Sequence, residues 1–109
     1  MKKLAVRHAA EKDAEKIYRL GMMTRDFAVS RHIKFYQKDE IAEWIRNKEN
    51  NILIVAEVNS RIVGFVYCKI MSRHWAMVDN FYVLPKFRKE GVGTAIEEVL
   101  LAELRRRSI

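Results

Sequence analysis

Residues 83–94 read VLPKFRKEGVGT, and AIEEVL follows directly at residues 95–100. The pattern predicts the end of a strand, a basic turn that contains glycines, and the start of a helix. At such a turn the first backbone N–H groups of the helix are free to bind an anion, and the helix dipole favours negative charge. Gly91 and Gly93 would let the backbone approach the anion closely, because neither has a Cβ. The turn therefore predicts a phosphate site.

Positive charge is concentrated around this turn and in the chain as a whole. Lys86, Arg88 and Lys89 belong to the turn, and the formal net charge of the chain is +7. Such a balance is typical of proteins that bind nucleic acid, an acidic membrane or a polyanionic small ligand. A second basic cluster, residues 105–107, ends the last predicted helix, where cations interact favourably with the helix dipole. No nucleic-acid motif accompanies it, so we expect a small polyanion and no nucleic acid.

The length of the chain and its lack of long apolar runs indicate the number of domains and the class of protein. The chain has 109 residues, of which 50% are apolar, so we expect one domain, residues 1–109, with a small core. Residues 1–4, MKKL, are followed by charge and not by the apolar stretch of a secretory leader. No apolar run approaches the length of a membrane span. We therefore expect a cytoplasmic protein with no membrane partner.

The thiol and imidazole side chains give no pattern typical of catalysis or metal binding. Cys68 is the single cysteine and lies in an alternating apolar run, which predicts a buried structural thiol in a reducing compartment and not a nucleophile. His32 and His74 lie in predicted loops without a partner at metal-ligand or triad spacing. We therefore predict solvated histidines and no metal.

The pattern of apolar residues predicts an α+β domain. The predicted strands are residues 4–7, 52–58, 61–71 and 75–83, and the predicted helices are residues 11–22, 38–46 and 92–106. Asn59 and Ser60 form a tight turn between two of the strands. The last three strands should form an antiparallel meander, and the apolar stripe of the last helix should face the sheet.

The spacing Arg88-x-x-Gly91-x-Gly93 resembles the coenzyme A-binding signature of the GNAT superfamily of N-acetyltransferases. Residues 77–85 resemble the fourth strand of that family, and the order of elements matches the first part of its domain. The resemblance implies an α+β GNAT-like fold, an antiparallel meander with flanking helices that lacks the usual C-terminal strand–helix–strand elements. The chain would then be a single, partial N-acetyltransferase domain. The sequence leaves open whether it is a fragment, a natural truncation or a half completed by another copy.

The resemblance also implies a cosubstrate and a reaction. Acetyl-CoA would donate its acetyl group directly to a primary amine of a small molecule or a peptide N-terminus, without a metal. The implied contacts to coenzyme A are the backbone groups of Phe81, Tyr82 and Val83 for the pantetheine and the amides of Arg88, Lys89, Glu90, Gly91, Val92, Gly93 and Thr94 for the pyrophosphate. A backbone N–H near Tyr82 or Val83 would polarise the thioester carbonyl. Residues 22–36 border the acceptor cleft in the family, but the sequence does not identify the amine acceptor.

Asp79 is the candidate general base, because some members of the family carry a carboxylate on this strand that works through water. Strict alternation along the strand places Asp79 on the same face as Phe81 and Val83. The competing interpretation is a surface carboxylate or one engaged in hydrogen bonds. Glu57, on an earlier strand, is a weaker candidate.

The sequence leaves two alternative functions open and also predicts an assembly of the chain with itself. The chain could be a GNAT-like module that binds coenzyme A or a protein partner without turnover, or a small basic nucleic-acid-binding domain. Without a fifth strand, residues 75–83 would leave a long apolar sheet edge, which is a template for pairing with another chain. We therefore predict self-association, most simply as a two-fold homodimer.

Overall fold

The computed structural model describes residues 3–22 and 36–109. Its strands are β1 Leu4–His8, β2 Asn51–Val58, β3 Arg61–Ile70 and β4 Ala76–Val83, and its helices are α1 Ala14–Met22, α2 Lys38–Arg46 and α3 Val92–Arg106. Short 3₁₀ turns, Glu11–Asp13 and Pro85–Phe87, precede α1 and follow β4. Each predicted element is present, and the main difference is that the predicted first helix begins as the 3₁₀ turn at Glu11.

The four strands form one antiparallel sheet in the order β1-β2-β3-β4. Helices α1 and α2 cover one face, where Ile17 and Phe65 belong to one buried cluster. Helix α3 covers the other face, where Val63 and Ile96 belong to a second cluster. The two central strands, β2 and β3, are therefore buried over nearly their whole length, as strands covered on both faces must be. The predicted α+β meander with flanking helices is confirmed.

The edge of the sheet at β4 carries several exposed apolar side chains. Trp75, Met77, Val78 and Phe81 are between 40% and 53% exposed. Among the described residues, β4 pairs with β3 only. Self-association along this edge stays a prediction.

Gly64 lies where β3, β4 and α3 come closest. A Cβ at this position would stand 2.8 Å from the backbone carbonyl oxygen of Tyr82, 3.2 Å from Ile96 Cδ1 and 3.3 Å from Val83 Cγ2. A backbone oxygen cannot rotate away as a side chain can, so the strands would have to separate. The glycine that the sequence shows as a break in an apolar strand is thus required by close approach.

Replacing Gly64 with alanine should destabilise the fold by about 1–3 kcal/mol, the usual cost of overpacking a close-packed interior. Urea unfolding followed by circular dichroism measures the change. Gly93→Ala is the matched control, since its Cβ would meet Phe81 Cε1 and Val83 Cγ2 at 3.8 Å, an ordinary contact. We expect the control to be neutral or slightly stabilising because alanine favours helix over glycine. Equal stability of the parent and Gly64→Ala would contradict this account.

Candidate functional site

The turn between β4 and α3 consists of the end of the strand, a 3₁₀ turn and an N-cap residue of α3 with left-handed backbone angles. Pro85 begins the 3₁₀ turn, and the buried ring of Phe87 anchors that turn in the α3-side core. Lys89 and Gly91 then take positive φ values of 66° and 83°. Gly91 is the N-cap of α3 and brings no side chain of its own to cap the helix. The first N–H groups of α3 therefore have no acceptor within the helix and point out of its positive end.

Glycine at position 91 is required by backbone conformation and not by packing. A Cβ there would meet none of the described atoms within 4 Å, yet a φ of 83° is unfavourable for most side chains. Gly93 has an ordinary φ and room for a Cβ in the protein without ligand. Close approach of an anion to both glycines stays a prediction.

The side chain of Arg88 holds the turn against the end of β4. Its Nε donates a hydrogen bond to the Val83 carbonyl oxygen at 2.8 Å, and its guanidinium lies 5.3 Å from the centre of the Tyr82 ring. For the side chain of Arg88, the sequence indicated only a contribution to the positive charge of the turn. In the structure the arginine also joins two segments that would both line a coenzyme site. Lys86 and Lys89, which are exposed, carry the remaining positive charge of the turn, and Glu90 is exposed beside them.

Asp79 lies at an irregularity in β4. Tyr67 pairs with Asn80 and Cys68 pairs with Val78, so the pairing skips Asp79. An extra residue of this kind is a β-bulge, and it reverses the alternation of side chains along the strand. The predicted face was therefore wrong: Val83 packs in the α3-side core, whereas Asp79 contacts residues on the α2 side.

The Asp79 carboxylate faces a cavity of about 370 Å³ between α2 and the sheet. Tyr36 Oη donates a hydrogen bond to Asp79 Oδ2 at 2.8 Å, and Asn80 Nδ2 donates to the same oxygen at 3.2 Å. Trp44 and Tyr67 form an aromatic wall, stacked with ring centres 3.8 Å apart and planes at 6°. We call this space the aromatic cavity. The exposed carboxylate stands at its edge and is accessible to a proton donor.

Both tyrosines of the cavity stay neutral near pH 7. Burial, followed by the hydrogen bond to Asp79, raises the pKa of Tyr36 to about 12. Burial, followed by the charge of Asp79, raises the pKa of Tyr67 to about 12. Sequence reasoning missed the cavity because its aromatic residues belong to different elements, with Trp44 in α2 and Tyr67 in β3.

Glu57, the weaker candidate base, is engaged elsewhere. Its Oε1 accepts a hydrogen bond from Arg7 Nε at 2.6 Å, and Arg7 also forms an ion pair with the buried Asp13 at 2.7 Å. Strand β2, which carries Glu57, is separated from β4 by β3. The structure therefore places Glu57 in an ion network with β1 and not beside Asp79.

The remaining predicted residues have simple surroundings. Cys68 is 1% exposed, and burial raises the pKa of its thiol, which confirms a buried thiol. His74 is exposed, whereas His32 and most of the region 22–36 lie outside the described residues. Within the described residues, 3–22 and 36–109, no group of His, Cys, Asp and Glu side chains could hold a metal ion. In the same part of the chain, no helix is both long and apolar enough to cross a membrane.

Comparisons with known proteins concern the family and the fold of the chain. The model of the acetyltransferase (GNAT) family matches residues 14–109. An uncharacterized N-acetyltransferase of Methanocaldococcus jannaschii is 33% identical over 72 residues, which cover 57% of this chain and 32% of that protein. An uncharacterized N-acetyltransferase of Archaeoglobus fulgidus is 27% identical over 110 residues, which cover 90% of this chain and 71% of that protein. The chain thus spans about a third of the length of the first relative and less than three quarters of the second.

A solved structure with the same fold is the PaiA N-acetyltransferase of Thermoplasma acidophilum, determined in complex with coenzyme A. It has a TM-score of 0.71 and 17% identity, and the match covers 98% of this chain and 75% of that chain. At this identity the likeness shows the fold alone.

Proposed function

Since this chain belongs to the GNAT family of acetyltransferases, we propose that it transfers the acetyl group of acetyl-CoA to a primary amine by direct attack. The acceptor would be a small molecule or a peptide N-terminus. Residues 1–109 would act as part of one N-acetyltransferase domain. A cytoplasmic location and a homodimer stay predictions beside this proposal.

The observation that carries the proposal is the conformation at the start of α3, where the N-cap Gly91 has left-handed backbone angles shortly after the end of β4. It directs unsatisfied N–H groups and the positive helix end toward one point, with Lys86 and Lys89 around it. A pyrophosphate is the anion that such a turn suits best, because its several oxygens can accept several N–H groups at once. That the fold neighbour from Thermoplasma acidophilum holds coenzyme A supports the same ligand here.

We assign the coenzyme contacts to the end of β4 and the turn. Backbone groups of Phe81, Tyr82 and Val83 would bind the pantetheine amides. The amides from Arg88 to Thr94 would bind the pyrophosphate, while the Arg88 side chain, bonded to Val83, keeps the two segments in register. One of the amides near Tyr82 would polarise the thioester carbonyl as negative charge develops on its oxygen.

Asp79 is the proposed general base. An ammonium cannot attack a thioester, so a proton must leave the amine before the carbon–nitrogen bond forms. The bulge turns the Asp79 carboxylate toward the aromatic cavity, where an amine or an intervening water can reach it. Tyr36 and Asn80 hold the carboxylate by hydrogen bonds to Oδ2.

Calorimetry and an acetyl-transfer assay test the proposal together. We expect coenzyme A to bind the chain and acetyl-CoA to be consumed faster when a primary amine is added. A folded chain that does not bind coenzyme A would contradict the assignment of the turn. Binding without transfer to any amine of a broad panel would instead indicate the alternative, a coenzyme A-binding or protein-interaction module without turnover, which the exposed apolar edge of β4 favours.

A further inference from the structure

We propose that a pocket between α1 and the turn from β2 to β3 binds a small amphipathic carboxylate, that is, a carboxylate ion with an aliphatic body. The pocket has a volume of about 340 Å³, and we call it the α1 pocket. The inference goes beyond the proposed function, because the described residues that line this pocket are assigned neither to coenzyme A nor to the acceptor. They form an apolar floor, Leu20, Ile62 and Leu84, and a basic rim, Lys16, Arg19 and Arg61.

The floor of the α1 pocket offers a preformed aliphatic surface. Leu20 and Ile62 are 9% and 8% exposed and belong to the core cluster on the α1 side of the sheet, and Leu84 packs against that cluster. The Leu84 N–H also donates a hydrogen bond to the Val63 carbonyl oxygen at 2.8 Å, which fixes Leu84 beside the start of β3. A carbon chain on this floor would leave water without the cost of ordering the protein first.

The rim of the α1 pocket carries positive charge without a matching carboxylate. Lys16 and Arg19 are three residues apart and therefore share one face of α1, and Arg61 is the first residue of β3. Arg19 pairs with Glu15 at 3.2 Å, but both side chains are more than half exposed, and Glu15 does not line the pocket. Among the residues that the structure describes, Lys16 and Arg61 form no ion pair. An anion at this rim would thus meet cations and no opposing carboxylate of the described lining.

A second basic cavity differs in this respect. It has a volume of about 290 Å³ and lies where α2 and α3 end. Arg106 and Arg107 in its wall both pair with the Glu103 carboxylate, which lines the same cavity. The charge of these arginines is thus engaged within the protein, whereas the cations of the α1 pocket are available to a ligand.

Floor and rim together define the class of ligand. Inorganic phosphate would use the rim and leave the floor in water, and a neutral apolar molecule would use the floor and leave the cations without a partner. An aliphatic carboxylate contacts both, and a guanidinium group can donate two parallel hydrogen bonds to it. An apolar surface with a few convergent polar groups is also the usual composition of small-molecule sites.

A titration with octanoate, followed through the amide NMR signals of the whole chain, tests the inference. We expect the signals of residues in the α1 pocket to shift. Octanoate should bind at least about tenfold more tightly than butyrate, because each buried methylene group adds a factor of up to about four. Octanol and inorganic phosphate should both bind more weakly than octanoate. If octanol binds as well as octanoate, the carboxylate is not recognised, and if butyrate does, the floor is not used; either result would overturn the inference.

Two variants locate the carboxylate within the α1 pocket. Arg61→Gln and Lys16→Gln should each weaken octanoate binding about threefold, as for the loss of one exposed ion pair, and the double variant about tenfold. Arg73→Gln is the matched control, since it removes the same charge from the exposed turn between β3 and β4, at the opposite end of the sheet. Its affinity for octanoate should equal that of the parent. Equal losses in Arg61→Gln and Arg73→Gln would indicate general attraction to a chain of net charge +7 and would contradict a site at α1.

A titration in the presence of coenzyme A separates the α1 pocket from the basic turn before α3. We expect octanoate to keep its affinity at saturating coenzyme A, because the described lining of the pocket includes none of residues 85–94. Competition between the two ligands would place the carboxylate at the basic turn and overturn the inference. If coenzyme A does not bind at all, the proposed function fails, and the signals that shift with octanoate alone still decide whether the α1 pocket is a site.

Discussion

Replacing Asp79 with asparagine should lower kcat for acetyl transfer about 10²–10⁴-fold, the usual contribution of a general base. Asparagine has nearly the same shape and can still accept the hydrogen bond from Tyr36 through its amide oxygen. It cannot take a proton from the acceptor ammonium. The affinity for coenzyme A should stay within about twofold of the parent, since none of the proposed coenzyme contacts involves this side chain. Steady-state kinetics and calorimetry on the same preparation give both values.

A second variant separates the contribution of the Asp79 carboxylate to the rate from that of the hydrogen bond it accepts from Tyr36. Tyr36→Phe removes the hydroxyl group that donates to Asp79 Oδ2 but keeps the ring against Trp44. We expect a loss in kcat of about tenfold or less, because the base remains and only its orientation relaxes. An Asp79→Asn enzyme with an unaltered rate would remove Asp79 from the mechanism and leave it as a surface carboxylate.

Replacing Gly91 with aspartate should raise the dissociation constant for coenzyme A about hundredfold. The new carboxylate would stand at the start of α3, where the phosphates are proposed to bind. Repulsion between two such charges a few ångströms apart at a protein surface amounts to about 3 kcal/mol. Titration calorimetry with coenzyme A at low ionic strength measures the loss.

Gly91→Asn is the matched control, because asparagine differs from aspartate only in charge. Both residues tolerate the left-handed φ of 83° better than other side chains, so both variants should have similar unfolding midpoints. We expect the asparagine variant to lose only a few-fold in affinity. If the two variants bind coenzyme A equally well, the phosphates do not lie at this turn.

Local patterns in the sequence were sufficient for most of the secondary structure. The bounds predicted for the second and last helices are those of α2, Lys38–Arg46, and α3, Val92–Arg106. Both helices have an apolar stripe at helical spacing. The turn Asn59–Ser60 was also predicted correctly, and its residues take positive φ values of 52° and 69°. These features depend on neighbours in the chain, which is why the sequence shows them directly.

The bulge at Asp79 is a feature that local sequence patterns did not predict. Side chains alternate between the two faces only along an uninterrupted strand. One extra residue exchanges the faces for all residues beyond the bulge, relative to those before it. Nothing in residues 76–83 marks the position of the bulge, since it arises from the register of β4 against β3. The sequence therefore singled out Asp79 as a candidate, whose role stays a prediction, but placed it on the wrong face of the strand.

The sequence by itself determined the α+β order of elements, the basic glycine turn and the family to which the chain belongs. Each depends on residue types at short, fixed spacings. Only the tertiary structure decided that Gly64 must lack a side chain, that Arg88 bonds to Val83, and that Asp79 shares a cavity with Trp44. These relations join residues of different elements. They follow from strand register and from the packing of helices on the sheet, because contacts between distant segments are fixed only when the whole core assembles.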